Sequence, residues 1–184
     1  MKINRIEAAI VCALGLAFAG CATSSSNKAA SGKSRATAVA VLAPAAGKNV
    51  AGRVTFREET EGIRVTADIT GLTPGQHGFH IHEKGDCSAA DFASAGGHFN
   101  PMAAKHGAPT DPDHHAGDFG NIEANQQGVA RFERVVNWLS FKGTNSFVGK
   151  AVVVHDKPDD LKTQPSGNAG GRIACGVINQ TSTP

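Results

Sequence analysis

The sequence has no tyrosine and a single tryptophan, and its charged residues nearly cancel, with a formal net charge of +2 over 184 residues. A surface that binds nucleic acid needs clustered lysine and arginine, with aromatic rings on which bases can stack. The sequence contains no basic stripe interleaved with aromatic residues. We therefore expect no nucleic-acid partner.

Apolar runs long enough to span a bilayer are also missing. Residues 8–19 form an uncharged apolar run of twelve, whereas a transmembrane helix needs about 20 such residues. Because Lys2 and Arg5 precede this run, residues 1–20 are predicted to be a secretory signal peptide. The run ends in small residues before Cys21, which is similar to bacterial lipoprotein signals, where that cysteine carries lipid. Ordinary cleavage at another position is the alternative.

The segment that follows the signal is small, polar and basic, without an apolar period. Residues 21–37 are therefore predicted to be a flexible tether, and residues 181–184 a short tail. The folded domain is assigned to residues 38–180. We expect it on the periplasmic side of the cell envelope, with a lipid on Cys21 as its only membrane anchor.

Cysteines are few, and their positions separate them. Cys12 belongs to the signal peptide and Cys21 to the lipidation site, so two of the four cysteines remain in the domain. Cys87 and Cys175 form an even pair in an exported protein, which predicts a disulfide. The alternative is a pair of buried free thiols.

Alternation with period two dominates the domain. Ile63, Val65, Ala67 and Ile69 share one face of an extended segment, which is typical of a half-buried antiparallel strand. Eight short strands are predicted, with no convincing helix, at residues 38–42, 50–57, 63–70, 77–83, 118–124, 128–136, 150–155 and 172–178. This number of strands with glycine-rich connections favours an all-β sandwich or barrel.

Two predicted connections, residues 84–117 and 156–171, are too long for tight turns. Loops of this length in a small domain are usually functional or disordered. His80 and His82 precede the first loop and face the same way on a strand, with Phe79 and Ile81 opposite. Because imidazole is a good ligand for copper and zinc, the pair is a candidate half of a metal site.

The loops and strand ends contain the side chains that would complete such a site. Motifs around each of them together resemble the copper/zinc superoxide dismutases over residues 38–178. These motifs are Gly78-Phe79-His80-Ile81-His82, Gly96-Gly97-His98-Phe99-Asn100-Pro101, Lys105-His106-Gly107, Asp113-His114-His115-Ala116-Gly117-Asp118, Val154-His155 and Gly167-Asn168-Ala169-Gly170-Gly171-Arg172. The resemblance implies an eight-stranded antiparallel Greek-key flattened barrel, or immunoglobulin-like sandwich, with two long functional loops.

The resemblance also implies two metal sites per chain. One copper ion would be held by His80, His82, His98 and His155, and one zinc ion by His98, His106, His115 and Asp118. Four imidazoles suit the tetragonal preference of Cu(II), and three nitrogens with one carboxylate suit structural zinc. His98 would bridge both ions as an imidazolate, the alternative being a zinc ligand alone.

Further roles follow from the same resemblance. Asp159 would accept hydrogen bonds from His80 and His106, although Asp156 and Asp160 lie near it in sequence. Arg172 would attract a small anion to the copper, and the Cys87–Cys175 disulfide would join the first loop to the last strand. His77 is expected to be structural and His114 a spectator.

The implied activity is dismutation of superoxide to dioxygen and hydrogen peroxide, by alternating reduction and oxidation of copper, as antioxidant defence. His98 and Arg172 are the expected catalytic residues, and a homodimer is an open expectation. The second loop is shorter than in cytosolic relatives and lacks their charged cluster, so Lys157 and Lys162 are candidate substitutes for steering. The alternatives are a non-catalytic module that binds or delivers copper and zinc, and a purely structural lipoprotein.

Overall fold

A computed structural model of the protein describes residues 35–182. The predicted signal peptide, Cys21 and most of the predicted tether lie outside the described residues, as do residues 183 and 184. Between residues 35 and 182, no helix has the length and apolar character needed to cross a membrane.

The described chain forms eight strands, which confirms the predicted all-β class. They are β1 (Thr37–Pro44), β2 (Ala51–Glu59), β3 (Gly62–Thr70), β4 (Gly75–His82), β5 (Asp118–Ala124), β6 (Ala130–Val136), β7 (Ala151–His155) and β8 (Arg172–Ser182). A short 3₁₀ turn at Ala93–Ala95 is the one helical segment among these residues. The two predicted long loops remain as connections, one between β4 and β5 and one between β7 and β8.

The strands close into an antiparallel barrel in the order β1-β2-β3-β6-β5-β4-β7-β8. β3 pairs with β6 and β4 pairs with β7, so the chain crosses the barrel ends between non-consecutive neighbours. This is the Greek-key connection implied by the resemblance. Every strand has two neighbours, which leaves no open edge in the sheet.

Alternating side chains of β4 separate the barrel interior from its outer wall. Phe79 and Ile81 are buried in the core, and their backbone partners on β7 are Val154 and Val152. His80 and His82 point to the outer wall, as the alternation predicts. The candidate metal ligands therefore lie outside the hydrophobic interior.

The first long loop covers part of that outer wall. Phe92 and Ala95 of the loop pack with Ala151 and Val153, the outward residues of β7, and with Cys175. As a result β7 is buried on both faces, which explains why its sequence is continuously apolar instead of alternating.

The predicted boundaries differ from the observed ones at both ends of the domain. β1 begins at Thr37, inside the predicted tether, and β8 continues to Ser182, inside the predicted tail. The cause is pairing between the two strands, in which Thr37 lies opposite Ser182 and their hydroxyl oxygens are 2.8 Å apart. Polar residues without an apolar period gave no sequence signal for this extension.

Candidate metal centre

Backbone contacts at the end of β4 place the first loop beside the two strand histidines. Phe99 N–H donates to the Ile81 carbonyl oxygen at 2.8 Å, and Ile81 N–H donates to the Gly117 carbonyl oxygen at 2.9 Å. The first of these bonds, with the bond from Glu83 N–H to the Gly97 carbonyl oxygen at 2.9 Å, forms an isolated bridge between His82 and His98. A Cβ at Gly117 would collide with the Ile81 carbonyl oxygen, so this close approach requires glycine.

The first cluster, named here the four-histidine group, consists of His80, His82, His98 and His155, all buried. Its potential ligand atoms lie within 4.8 Å of one another. β4 supplies two of the rings, the first loop supplies His98, and His155 lies at the end of β7. The structure therefore brings together the four residues predicted for copper.

The outward nitrogens of this group are already hydrogen-bonded. His82 Nδ1 contacts the Gly96 carbonyl oxygen at 2.9 Å, His155 Nδ1 the Gly170 carbonyl oxygen at 3.3 Å, and His80 Nε2 the Asp159 carboxylate at 2.7 Å. Each of these nitrogens must carry a proton to donate. The lone pair of each ring is thereby directed inward, as metal binding requires.

The second cluster, the aspartate group, contains His98, His106, His115 and Asp118. The Asp118 carboxylate lies 2.8 Å from His98 Nδ1, 3.1 Å from His106 Nδ1 and 3.4 Å from His115 Nδ1. Its orientation is also fixed by the backbone N–H of His115, which donates to it at 3.0 Å. These are the four residues predicted for zinc.

His98 belongs to both groups through different atoms. Its Nδ1 contacts Asp118, and its Nε2 is buried on the side of the four-histidine group. In the described part of the chain, His98 Nε2 and His80 Nδ1 are buried without a hydrogen-bond partner, which is costly unless a ligand binds them. His106 Nδ1 and His115 Nδ1 face the Asp118 carboxylate, and imidazole nitrogens with one carboxylate are ligands typical of structural zinc. The side chains present therefore fit two metal ions.

Asp159 joins the two groups. One carboxylate oxygen accepts from His80 Nε2 at 2.7 Å, and the other accepts from His106 Nε2 at 3.0 Å. Asp156 accepts from Gly171 N–H, and Asp160 accepts from Lys162 and Thr163, so both shape the second loop instead. Of the three aspartates considered from the sequence, Asp159 is the one placed between the clusters.

Burial and neighbouring charges push the histidine pKa values apart. Burial and the neighbouring imidazoles lower the pKa of His98 to about 4 and that of His155 to about 3. Burial acts the same way on His106, but its bonds to the Asp118 and Asp159 carboxylates outweigh it and raise the pKa to about 9. Burial likewise opposes ionisation of Asp118, yet hydrogen bonds from His106, His115 and His98 hold its pKa below the usual range.

A cavity of about 460 Å³ gives access to the four-histidine group. His82, His98 and His155 line it, and Arg172 lies in the same wall. The guanidinium is held by the carbonyl oxygens of Phe92 and Gly96, at 2.5 and 2.6 Å. Burial lowers the pKa of Arg172, but an arginine remains charged at neutral pH.

The predicted Cys87–Cys175 disulfide is present. It joins the first loop to β8, three positions from Arg172. Because the same loop supplies the carbonyl oxygens that hold the guanidinium, the disulfide supports one wall of the cavity.

The two remaining histidines lie outside both groups. His77 Nδ1 donates to the His155 carbonyl oxygen at 2.7 Å, and its Nε2 contacts the Thr73 carbonyl oxygen at 2.9 Å. These contacts agree with a structural role for His77. His114 turns its ring against Trp138 at 4.6 Å between centroids, away from the clusters.

Three side-chain amides near the site were not singled out from the sequence. Asn121 and Gln164 each hydrogen-bond both the N–H and the carbonyl oxygen of one residue, Asp159 and His106 respectively, and Asn100 does the same with Ala104. No local sequence pattern marks such pairs, because each partner is distant in sequence or lies within an irregular loop.

The fold and the site together define a Greek-key barrel protein whose outer wall carries side chains for two adjacent metal ions. The family model described as copper/zinc superoxide dismutase (SODC) matches residues 50–178, and the chain belongs to that family. Among solved structures, the clock protein EA4 is similar with 41% sequence identity and a TM-score of 0.72. The match covers 80% of this chain and 96% of that one.

Proposed function

We propose that the protein dismutes superoxide to dioxygen and hydrogen peroxide, with one copper ion in the four-histidine group and one zinc ion in the aspartate group. The observation that carries this proposal is the position of His98, which offers one nitrogen to each group. A cavity with an arginine beside the four-histidine group supports it further.

Copper, when bound, supplies a reversible one-electron couple, whereas zinc has no redox chemistry and serves as a structural ion. The protein's part is to admit the anion, orient it and deliver a proton. His98 lines the cavity, and because its Nδ1 is held toward Asp118, its Nε2 is the nitrogen left to hold a proton. We assign His98 Nε2 as the atom that holds and releases one of the two protons needed to form hydrogen peroxide, the second coming from water.

Arg172 is assigned to attract and orient the substrate. Its charge lies in the wall of the cavity, and two carbonyl oxygens fix the guanidinium in place. Positive charge in a cleft raises the association rate of a small anion by about 10–10³-fold, in a salt-dependent way. Lys157 and Lys162 are exposed on the second loop and are proposed as secondary contributors to this field.

Metal analysis and a superoxide-decay assay test the proposal together. The purified protein, reconstituted with both metals, is expected to hold copper and zinc in equal amounts and to accelerate superoxide decay, with cyanide abolishing the effect. The alternative on the same fold is a non-catalytic copper- and zinc-binding or metal-delivery module. Stoichiometric metals without accelerated decay would favour that alternative, and zinc alone would contradict the proposed copper site.

We also propose that the protein acts in antioxidant defence on the periplasmic side of the cell envelope, anchored through Cys21. The Cys87–Cys175 disulfide supports this location, because such bonds persist in oxidising compartments. Replacing Cys21 with serine is expected to release the protein from membranes into the soluble fraction. Retention of the variant in membranes would argue against the anchor.

A further inference from the structure

The side chain of Gln164, in the second long loop, pairs with the backbone of His106, in the first. Its Oε1 accepts from His106 N–H at 2.8 Å, and its Nε2 donates to the His106 carbonyl oxygen at 2.8 Å. The two bonds join residues 58 positions apart. A side-chain amide that satisfies both backbone groups of one residue fixes that residue's position as a neighbouring strand would.

His106 is the residue at which such fixing matters for metal binding. Its Nδ1 faces Asp118 in the aspartate group, and its Nε2 contacts Asp159. Asp159 orients the ring through the outer nitrogen, whereas Gln164 acts on the backbone from which the ring projects. The imidazole is therefore restrained from two directions by two residues of the second long loop, Asp159 and Gln164.

The chain that follows Gln164 leads directly to the cavity. Pro165 and Ser166 line it together with Arg172. Gly167, the next residue, donates its N–H to the Thr163 carbonyl oxygen at 2.6 Å, and a Cβ there would collide with Asp159 and His106. The segment 164–167 thus lies against His106 at both ends and forms part of the cavity rim between them.

We propose that Gln164 is a positioning residue that couples retention of zinc in the aspartate group to the conformation of the cavity rim. This inference depends on the proposed function for the identity of the metal. Gln164 does not touch the reacting atoms, so its effect on the reaction is indirect.

Two variants at this position and a matched control test the proposal. Q164M removes both hydrogen bonds at similar volume, and Q164E keeps the acceptor for His106 N–H but loses the donor. The control is Q127M, which replaces an exposed glutamine in the turn between β5 and β6. Zinc and copper release to chelators are measured on the fully loaded proteins, and amide hydrogen exchange on the metal-free proteins.

For Q164M we expect zinc release about 25-fold faster, about fivefold for each of the two net hydrogen bonds lost, with copper release unchanged. Q164E should fall between Q164M and the wild type. In the metal-free Q164M protein, exchange should accelerate at both His106 and Gly167, because the rim loses its attachment. Acceleration at His106 alone would contradict the coupling, and zinc release equal to that of Q127M would overturn the role of Gln164.

The exchange measurement keeps this inference separate from the proposed function. If wild-type protein binds no zinc, the dismutase proposal fails, while exchange at His106 and Gly167 still reports whether Gln164 holds the two segments together. If zinc binds normally and the exchange rates match those of Q127M, only the inference fails.

Discussion

The four-histidine group and the aspartate group share a ring but differ in access and charge. Three rings of the four-histidine group, those of His82, His98 and His155, line a cavity of about 460 Å³, and burial lowers the pKa of each. In the aspartate group, a carboxylate is surrounded by three imidazoles, and the pKa of His106 is raised to about 9. A set of imidazoles with three rings on the cavity suits a reacting ion, and a set with a fully buried carboxylate as its negative ligand suits a structural one.

The largest effect on metal content and activity is expected at His98, the residue that belongs to both groups. His98→Ala should reduce binding of both metals and lower kcat/KM by about 10³-fold or more, because it removes a ligand from each site. His155→Ala should reduce copper alone, since its ring belongs only to the four-histidine group. Metal analysis beside the decay assay checks this, with His114→Ala as the control. Normal zinc content in His98→Ala would show that the groups are independent.

Removing the disulfide tests whether the cavity wall depends on the link between Cys87 and Cys175. Replacing both Cys87 and Cys175 with serine removes a link across 88 positions and should lower the free energy of unfolding by about 4 kcal/mol. Urea denaturation of the metal-free proteins measures this. We expect the double variant to lose copper more readily than zinc, because the link supports the wall that holds Arg172. Equal loss of the two metals would contradict that distinction.

Replacing Arg172 changes the cavity wall without removing a candidate metal ligand. Arg172→Ala should lower kcat/KM about tenfold while leaving both metals bound, because it removes the charge that attracts the anion. The salt dependence of kcat/KM should weaken in parallel, and Arg172→Lys should restore part of both. Stopped-flow kinetics at several ionic strengths provide the measurement. An unchanged salt dependence in Arg172→Ala would assign steering to other residues.

The smallest predicted effect is on the number of protons released when zinc binds. At pH 7 His106, with its pKa raised to about 9, is protonated in the metal-free protein, so its Nδ1 must lose a proton to bind zinc. Zinc binding should therefore release about one proton at pH 7 and progressively fewer as the pH rises through 9. Calorimetry in buffers of different ionisation enthalpy counts these protons. A release that stays constant across this range would assign the proton to another group.

Most of the barrel could be predicted because its strands alternate. Ile63, Val65, Ala67 and Ile69 show which face is buried without any knowledge of the partner strands. The same rule placed Phe79 and Ile81 inside and the two histidines outside. It could not give the full length of β8, since Ser182 pairs with Thr37 of β1 and Thr181 hydrogen-bonds to it, and these polar residues carry no apolar period.

The candidate site was predictable in its residues more than in its connections. Histidines and aspartates near glycine-rich motifs could be recognised from their residue type and from the resemblance of those motifs to the family. The positions of Asn121 and Gln164 depend instead on where two long loops meet, which is a tertiary property. Residue type alone does not separate Asp159 from Asp156 and Asp160, since all three are loop acids of the same chemistry. The resemblance favoured Asp159, and the structure places its carboxylate against His80 and His106.

The closed sheet separates the side chains that stabilise the fold from the side chains of the candidate metal centre. Its interior is filled by hydrocarbon side chains, while the candidate metal ligands lie on the outer wall beneath two loops. Insertions and deletions in those loops can therefore accumulate without disturbing the strands, provided that the few anchoring contacts survive. An evolving lineage on this scaffold can alter substrate access by exchanging loops, and a protein engineer can graft them in the same way.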